Sequence, residues 1–431
     1  NRWPDNLGIS GRDASEYPEL GLSMADSPLA TGYMFYKRLQ REHEERQQLM
    51  AEVAELVGVS PVMYRAMSRK ERREHDERRL KLAHREVVIP TANIATFEDT
   101  LSQALRVAEY SQRELQGGIV VQGEAGVGKS TALLNITMKL AGKFYEDAFG
   151  PDWWRQPVSS LKVPHRSAFG DQARVPAVFA LPITFTSNPT PATIAKGMLA
   201  SLASCTLDPK LAKMVGKQLK GEAQFMDALV PRLFMHGVKV VVIDELHFVR
   251  GDKNGDHVVN LLKSLLDRSR VVLVMAGVSK TSGLEIFTDS KSKNPTRQQL
   301  LRRLVVLDFD PFEQYRPMRG SKGTTVGSNP EWLKVINLMA GRLILLDQPS
   351  DWWLQPATLK YLWQRTQGVF TSLNTLLEGA SHAVIGGPER FTIELLEKIH
   401  ISHDADAFAA EKYKIGPRYR GWARTAEIDS G

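Results

Sequence analysis

The sequence has a single cysteine, Cys205, among 431 residues and no apolar run long enough to cross a bilayer. One thiol can form neither an internal disulfide nor a cysteine-based metal cluster, which suits a reducing cytoplasm. The first residues, 1–11, are polar and lack the apolar core of a signal peptide. We therefore expect a cytoplasmic protein that is neither secreted nor inserted in a membrane.

Charge is abundant but nearly balanced, with 56 Lys and Arg against 49 Asp and Glu and a formal net charge of +7. A surplus this small favours an anionic partner only weakly. Its distribution is more informative, because most of the surplus lies between Arg65 and Arg85. This basic stretch is compatible with a solvated helix held by i,i+4 ion pairs, the commoner case, or with a nucleic-acid-binding face.

The strongest local signal is a glycine-rich turn between a short apolar run and a helical pattern. Gly123, Gly128, Lys129 and Ser130 fill the template G-x-x-x-x-G-K-[ST] of a phosphate-binding P-loop. Gly123, Gly126 and Gly128 allow backbone conformations in which successive N–H groups converge on an anion. The template assigns Lys129 to the β/γ-phosphates and the Ser130 hydroxyl to Mg²⁺. The predicted nucleotide-binding residues are Gly123, Glu124, Ala125, Gly126, Val127, Gly128, Lys129, Ser130 and Thr131.

A second signal is the apolar run Val238–Ile243, which is followed by the carboxylates Asp244 and Glu245. Open parallel sheets bind ligands at the carboxyl ends of their strands. Asp244 is then placed to hold Mg²⁺ through water, and Glu245 to orient or deprotonate a water that attacks the γ-phosphate. The sequence therefore predicts an ATP hydrolase, with ATP and Mg²⁺ as its ligands.

Two further positions are candidates for the catalytic site. Ser279 follows the apolar run Val271–Ala276 and could hold the attacking water or the γ-phosphate, although a plain Ser-Lys turn is an equal alternative. Arg302 and Arg303 precede the run Leu304–Phe309, where a guanidinium could reach the γ-phosphate bound by a neighbouring subunit. A solvent-exposed arginine pair is the alternative interpretation.

Apolar runs alternate with helical patterns through the middle of the chain, which is typical of an α/β fold with a parallel sheet covered on both faces. Pro182 lies inside the second run and predicts a strand that either lies at the sheet edge or ends early. The segment 143–175 is too long for a plain connection and predicts an insertion. Its pair Trp153 and Trp154 predicts a local aromatic core, the commoner case, or a platform for base stacking. The five runs are Ile119–Gln122, Ala177–Phe185, Val238–Ile243, Val271–Ala276 and Leu304–Phe309.

Helical patterns dominate both flanks of these runs. Residues 34–57 predict one helix, and Ser60-Pro61 predicts the start of a second. After an expected linker at 315–330, the chain is predicted to be wholly helical. The predicted helices are Trp332–Leu346, Pro356–Thr366, Thr371–Ile385 and Thr392–Ile399.

The order of these motifs resembles that of AAA+ ATPases of the initiator group, and more narrowly that of transposition regulators of the TniB/TnsC type, relatives of MuB. The similarity lies in the P-loop, or Walker A segment, and in the Walker B segment Ile243–His247. It continues through the strand end Ala276–Val278 and through Gln298–Leu304, where Leu304 replaces the usual aromatic residue. Tyr361–Val369 is similar to the family's lid with its Thr-x-Gly turn, so the resemblance covers roughly residues 86–400.

The resemblance implies an AAA+ P-loop core with a five-stranded parallel sheet, a helical lid and an N-terminal helical extension. Many such lids carry an arginine directly after the glycine turn; Val369 stands there in this chain, which leaves Arg365 as an open alternative. The implied domains are an N-terminal arm and basic extension (1–85), the ATPase core (86–310), the lid (311–404) and a basic C-terminal tail (405–431).

The resemblance also implies rings or filaments of this chain on double-stranded DNA, which recruit or activate a transposase and could engage target-selection proteins. DNA contacts would be to the phosphate backbone. Their candidate sources are the basic stretch 65–85, Arg250 with Lys253, and Lys280–Arg297, while the tail 412–422 could bind DNA or a protein or be disordered. Two other functions stay open: a replication initiator or helicase loader, and a nucleotide-gated signalling switch without DNA binding.

Overall fold

The computed structural model describes residues 28–85, 88–110, 117–157, 160–166, 172–184, 189–217, 219, 221–249, 253–278, 282–288, 294–314, 317–319, 325–327 and 330–417. They divide into two compact units. The first unit comprises the described residues within Asn1–Arg46, Thr96–Gly123 and Lys129–Asp308, and the second those within Gln47–Ala95, Glu124–Gly128 and Phe309–Gly431.

The strands are β1 (Gly118–Gly123), β2 (Lys162–Arg166), β3 (Gln172–Pro176), β4 (Ala180–Thr184), β5 (Val240–Asp244), β6 (Val272–Val278), β7 (Leu304–Phe309), β8 (Pro317–Arg319) and β9 (Thr325–Gly327). The helices are α1 (Pro28–Val57), α2 (Pro61–Ala66), α3 (Arg69–Ala83), α4 (Ala92–Tyr110), α5 (Lys129–Phe149), α6 (Pro191–Thr206), α7 (Pro209–Lys217), α8 (Glu222–Met235), α9 (Lys253–Arg268), α10 (Ser282–Glu285), α11 (Pro295–Leu301), α12 (Pro330–Gly341), α13 (Pro356–Thr366), α14 (Phe370–Val384), α15 (Ile393–Leu396) and α16 (His403–Tyr413).

Five strands form one sheet in the order β4-β5-β6-β1-β7, which confirms the predicted α/β fold with a five-stranded parallel sheet. The residues of β5 and β6 are buried almost throughout, because helices cover both faces of a parallel sheet. β7 continues the sheet beside β1: the Gly118 amide donates to the Arg303 carbonyl at 2.9 Å, and the Gln122 side chain donates to Asp308 at 2.6 Å.

Strand β4 lies at the edge of the sheet, one of the two outcomes that Pro182 predicted. Two tyrosines satisfy backbone groups at the start of this edge. The Tyr36 hydroxyl of α1 accepts from the Ala180 amide at 3.0 Å and donates to the Ala180 carbonyl at 2.8 Å. The Tyr145 hydroxyl of α5 donates to the Ala177 carbonyl at 2.8 Å. An edge strand normally exposes such groups to pairing with another chain, and these two hydroxyls satisfy some of them instead.

The insertion forms a local aromatic core and a hairpin. Trp153 is fully buried and stacks on Tyr145 with ring centroids 5.1 Å apart, which confirms the interpretation of this tryptophan as a core residue. Trp154 is only partly buried and lies under the guanidinium of Arg155. Beyond this turn, β2 and β3 pair antiparallel, a hairpin that the sequence analysis did not predict.

The second unit is built mainly from helices around a core that includes Trp332, Trp353, Leu362 and Leu376. Its last helix, α16, corrects the predicted tail: the segment 403–413 is helical, and Ala409 within it is fully buried. The rest of the predicted tail, from residue 418, lies outside the described residues. Among the helices that the structure describes, none has both the length and the apolar character needed to span a membrane.

The predicted N-terminal extension, 1–85, does not form one compact unit. Its described residues up to Arg46 belong to the first unit and those from Gln47 to the second, so the division falls within α1. Tyr36 holds the first part to β4, whereas an ion pair between Arg79 and Glu389 fixes the later part to the second unit. A further division, after Asp308, lies two residues before the predicted boundary between core and lid.

Candidate nucleotide-binding site

The P-loop and the acidic pair lie at the same edge of the sheet. β1 ends at Gly123 and β5 ends at Asp244, and both strands run parallel to β6, which lies between them. Two strand spacings separate the ends of β1 and β5, about 10 Å. A ligand at this carboxyl edge can therefore contact the end of β1, the start of α5 and the end of β5.

The turn between β1 and α5 depends on two glycines. Gly126 and Gly128 have φ values of +80° and +93°, in the left-handed region that disfavours residues with a Cβ. No heavy atom lies within 4 Å of a Cβ built at Gly128, so its backbone conformation alone requires glycine. Gly123 is the last residue of β1 and has no positive φ, so our expectation of a special conformation there was wrong.

Lys129 is the first residue of α5, and its side chain is buried. Its ammonium group donates to the Gly123 carbonyl at 3.0 Å, which folds the side chain back across the turn. Ser130 and Thr131 follow in the first turn of the helix and are half-buried. A cation and a helix N-terminus beside one turn favour a bound anion there.

Glu245 holds an unusual backbone conformation, with φ 61° and ψ 36°. Left-handed geometry costs a non-glycine residue about 1–2 kcal/mol, and such strain is concentrated at functional sites. The Glu245 amide donates to the Asp244 carboxylate at 2.9 Å, so the two residues form one fixed element at the end of β5. The 3₁₀ turn Leu246–Phe248 follows directly.

The residues at this edge fit Mg²⁺ together with a triphosphate. The Ser130 hydroxyl and the Asp244 carboxylate are the hard oxygen donors that this ion prefers, and Mg²⁺ commonly takes its other ligands from water and phosphate. Within the described ranges, no group of three or more His, Cys, Asp or Glu side chains could hold a metal ion without ligands from water or phosphate. The donor set therefore suits Mg²⁺ brought with a nucleotide.

The two arginines are not brought together with the acidic pair. The Arg303 carbonyl accepts from the Gly118 amide at the start of β1, so Arg302 and Arg303 lie at the opposite, amino edge of the sheet. The Arg303 guanidinium forms an ion pair with Asp267 of α9. Burial alone would raise the pKa of the Asp267 carboxyl, but hydrogen bonds from Arg303 and Lys263 hold it below the ordinary value.

Arg302 is exposed, and Ser279 lies outside the described residues.

Arg365, the open alternative for a lid arginine, is committed elsewhere. It is fully buried, and its guanidinium donates to Asp406 of α16 at 2.8 Å and to the Ile399 carbonyl at 2.7 Å. Asp406 is also fully buried. Arg365 therefore joins α13 to α16 and has no exposed surface for a nucleotide.

Thr371 is a residue that sequence reasoning missed. Within the second unit, which includes the turn 124–128, its amide and its hydroxyl both donate to the Gly126 carbonyl, at 3.0 and 2.9 Å. A Cβ at Gly126 would lie 3.1 Å from Val369 and 3.2 Å from Thr371. The Thr-x-Gly turn pointed to this part of the chain, but only the fold brings Thr371 to Gly126.

Residues 112–284, which contain β1, β5, β6 and the glycine turn, match the family model described as an AAA domain. This segment of the chain is similar to an AAA domain. It includes Lys129, Asp244 and Glu245, and its fold is the α/β P-loop fold that the sequence predicted. No curated protein sequence is similar enough to this chain to count as a match.

Solved structures similar to this chain include two proteins of Aeropyrum pernix. The ORC2 protein in ADPNP and ADP complexes is 12% identical with a TM-score of 0.47, over 73% of this chain and 69% of that chain. The ORC1 protein in complex with DNA is 16% identical with a TM-score of 0.46, over 76% and 68%. Cdc6p from Pyrobaculum aerophilum is 13% identical with a TM-score of 0.40, over 78% and 85%.

Proposed function

We propose that this protein is an ATP-hydrolysing, DNA-binding AAA+ regulator of DNA transposition. It assembles as a ring or filament on target DNA and recruits or activates a transposase. The observation that carries the ATPase part is that Lys129 and the Asp244–Glu245 pair lie at one edge of a single parallel sheet. The transposition part is supported by the motif order from Gly123 to Leu304 and by the Thr-x-Gly turn that precedes α14.

The residues at this edge suit attack of water on a terminal phosphate. Lys129 binds the β- and γ-phosphates of ATP, and Glu245 takes the proton of the attacking water. The bond between the γ-phosphorus and its bridging oxygen then breaks, and ADP and phosphate leave. Mg²⁺, held by Ser130 and through water by Asp244, neutralises negative charge on the triphosphate when it is bound.

A neighbouring subunit completes the site with Arg302. This arginine is exposed at the amino edge of the sheet, too far from its own P-loop to serve it. Val305 and Val306 of β7 are also exposed, at 48% and 37%. An exposed arginine beside exposed apolar side chains is the composition of a protein interface. Oligomerisation and hydrolysis are therefore coupled.

The test is ATP hydrolysis with and without duplex DNA, together with electron microscopy of the same mixtures. The proposal expects DNA to stimulate hydrolysis and to order the protein into rings or filaments. Strand transfer by the transposase that it serves should then increase when the assembled protein is added.

Each rival function gives a different result in these assays. A nucleotide-gated switch would bind ATP and give no gel shift with DNA at physiological salt. An initiator or helicase loader would bind DNA and leave strand transfer unchanged. If DNA neither stimulates hydrolysis nor orders the protein, the proposed function is wrong.

A further inference from the structure

Helices α2 and α3 contain the densest basic stretch of the chain, and the structure separates its charges into two classes. Each acidic residue of α3 is occupied by a neighbour in the same segment. The pairs are Glu71 with the Ser68 amide at 2.7 Å, Glu74 with Lys70 at 3.8 Å, Glu77 with Arg73 at 3.0 Å and Asp76 with Arg79 at 2.5 Å. Glu74, Glu77 and Asp76 are thus each paired with a cation of the same segment, whereas Glu71 bonds only to a backbone amide and offsets one charge of the remaining arginines.

Three arginines remain without an acidic partner among the described residues. They are Arg65 at the end of α2 and Arg69 and Arg72 in the first turns of α3, and all three are exposed. We call these three residues the arginine face. Positive charge in the first turn of a helix is unfavourable in isolation, because the helix dipole is positive there. Three arginines against the one carboxylate of Glu71 leave a local excess of positive charge on this surface.

The arginine face is fixed on a rigid support. The Tyr64 hydroxyl of α2 donates to the Asp76 carboxylate of α3 at 2.8 Å, which holds the two helices together. Arg72 precedes Asp76 by four residues and so lies on the same side of α3, and Arg69 precedes Arg72 by a further three. Arg65 directly follows Tyr64. Arg69 and Arg72 thus lie on one side of α3, and Arg65 lies at the end of the helix that Tyr64 holds to it.

The helix pair is itself anchored to the rest of the second unit. Arg79 of α3 makes two hydrogen bonds to Glu389, at 2.6 and 2.8 Å, and Arg78 bonds to Glu55 of α1 through both of its terminal nitrogens at 2.8 Å. Side chains on an anchored element lose less conformational freedom when they bind a ligand. The arginine face is therefore preorganised for a partner of opposite charge.

We propose that the arginine face binds the phosphate backbone of double-stranded DNA. The inference rests on the proposed DNA-binding function and specifies a surface for it outside the nucleotide site and outside residues 112–284. Guanidinium groups bind phosphate oxygens through paired N–H donors, and such contacts contribute affinity without reading sequence. The contact would therefore suit a protein that assembles on DNA of many sequences.

A protein partner is the competing occupant, because Val62 and Met63 of α2 are exposed at 73% and 54%. The surroundings of the arginines favour DNA instead. From Ser68 to Glu74 every side chain is exposed, and every one is polar or charged. Val62 and Met63 lie at the start of α2, so an apolar partner would contact only that part of the surface. The excess positive charge extends further, into α3, and binding of a polyanion needs charge spread over such a length.

The test compares two double variants of the full chain, R69Q/R72Q and K70Q/R73Q. They alternate along the same exposed turns of α3 and remove the same charge, but Lys70 and Arg73 are paired with Glu74 and Glu77. Binding of a fluorescently labelled duplex is measured by anisotropy over a range of salt concentrations. Loss of two phosphate contacts lowers the slope of log K against log salt by roughly two and weakens binding tens-fold near 0.1 M salt. We expect this change for R69Q/R72Q and a clearly smaller one for K70Q/R73Q.

Equal salt slopes for the two variants would show a diffuse effect of charge and would overturn the proposal. A salt slope of R69Q/R72Q equal to that of the unaltered protein, in conditions where the unaltered protein binds DNA, would also overturn it. In either case the proposed function stands. If the unaltered protein binds no duplex at all, the proposed function fails first. The variant V62S/M63S tests whether a protein partner binds this surface instead. Loss of assembly in V62S/M63S, together with an unchanged salt slope in R69Q/R72Q, would assign the surface to a protein. Thermal unfolding of each variant checks that the helices remain folded.

Discussion

Arg79 and Glu389, 310 residues apart in the sequence, face each other through two hydrogen bonds of 2.6 and 2.8 Å in a nearly solvent-free contact. The Arg79 side chain is 0% exposed and that of Glu389 is 7% exposed. Arg79 also bonds to Asp76 at 2.5 Å and to the Ile344 carbonyl at 3.1 Å. A buried pair of this kind stabilises little over an apolar contact, but removing one partner leaves the other charge buried and unpaired.

Replacement of Arg79 by Ala should therefore lower the free energy of unfolding of the second unit by about 3–5 kcal/mol. The matched control is Arg78→Ala, because Arg78 is the adjacent arginine and its ion pairs with Glu52 and Glu55 are partly exposed. Exposed ion pairs contribute little, so the control should retain most of the stability. Urea unfolding followed by tryptophan fluorescence measures both. Equal losses would contradict a special role for the Arg79–Glu389 pair.

Much of the fold could be predicted because its signals are local. The five apolar runs became the five strands of the sheet, and Pro182 indicated the edge because proline cannot donate to a neighbouring strand. Ser60 and Pro61 begin α2 as predicted, with the Ser60 hydroxyl accepting from the Met63 amide. Each of these features depends on residues close together in the sequence.

The remaining features depend on contacts between distant segments, which leave no local pattern. The sequence marked Arg303 as a basic residue before a strand, but not its pairing with Asp267. It marked Arg79 as part of a charged helix, although the fold buries this arginine against Glu389. Thr371 looked like an ordinary residue at the start of a helix, and only the tertiary structure places it on the Gly126 carbonyl.

Glu245→Gln should leave ATP binding within a few-fold of the unaltered protein and slow hydrolysis by about 10²–10⁴. The reason is that the amide keeps the shape of the side chain but cannot take the proton of water. Lys129→Ala is the contrasting variant, which should lose ATP binding itself. Binding of a fluorescent ATP analogue and single-turnover hydrolysis separate the two effects. Unchanged turnover in Glu245→Gln would remove Glu245 from this role.

Three glycine-to-alanine variants should differ in a fixed order. Gly128→Ala forces a Cβ into left-handed backbone, at about 1–2 kcal/mol, and should weaken ATP binding about tenfold. Gly126→Ala carries the same strain and adds close contacts with Val369 and Thr371, so it should weaken binding further. The control is Gly216→Ala in α7, an exposed position with no heavy atom within 4 Å and an ordinary φ. It should leave ATP binding unchanged, and an equal effect of all three would contradict the argument.

Mixed assemblies should distinguish the two arginines before β7. Arg302→Ala should abolish DNA-stimulated hydrolysis, and a Lys129→Ala protein, which binds no ATP but supplies Arg302, should restore it in mixtures. Arg303→Ala should instead release Asp267 within its own chain and lower stability, a defect that a second protein cannot repair. Hydrolysis rates over a series of mixing ratios test both expectations. Rescue of Arg303→Ala and not of Arg302→Ala would reverse the assignment.

The stability of the second unit should depend on pH through His75. This histidine is buried in α3, and neither of its ring nitrogens has a hydrogen-bond partner among the described residues. Burial, reinforced by the positive charge of Arg79, lowers the pKa of the His75 imidazole below its ordinary value of 6.5, although Asp76 opposes the shift. The unfolded chain therefore binds the proton more readily than the folded chain does.

The neutral imidazole of His75 therefore contributes stability that is fully present above pH 6.5 and is lost as the pH falls towards the lowered pKa. His75→Phe, which keeps a ring beside Tyr64, should remove up to one proton from the pH dependence of the unfolding free energy. Urea unfolding at a series of pH values below 6.5 measures the difference, and parallel curves for His75→Phe and the unaltered protein would show that His75 does not titrate on unfolding.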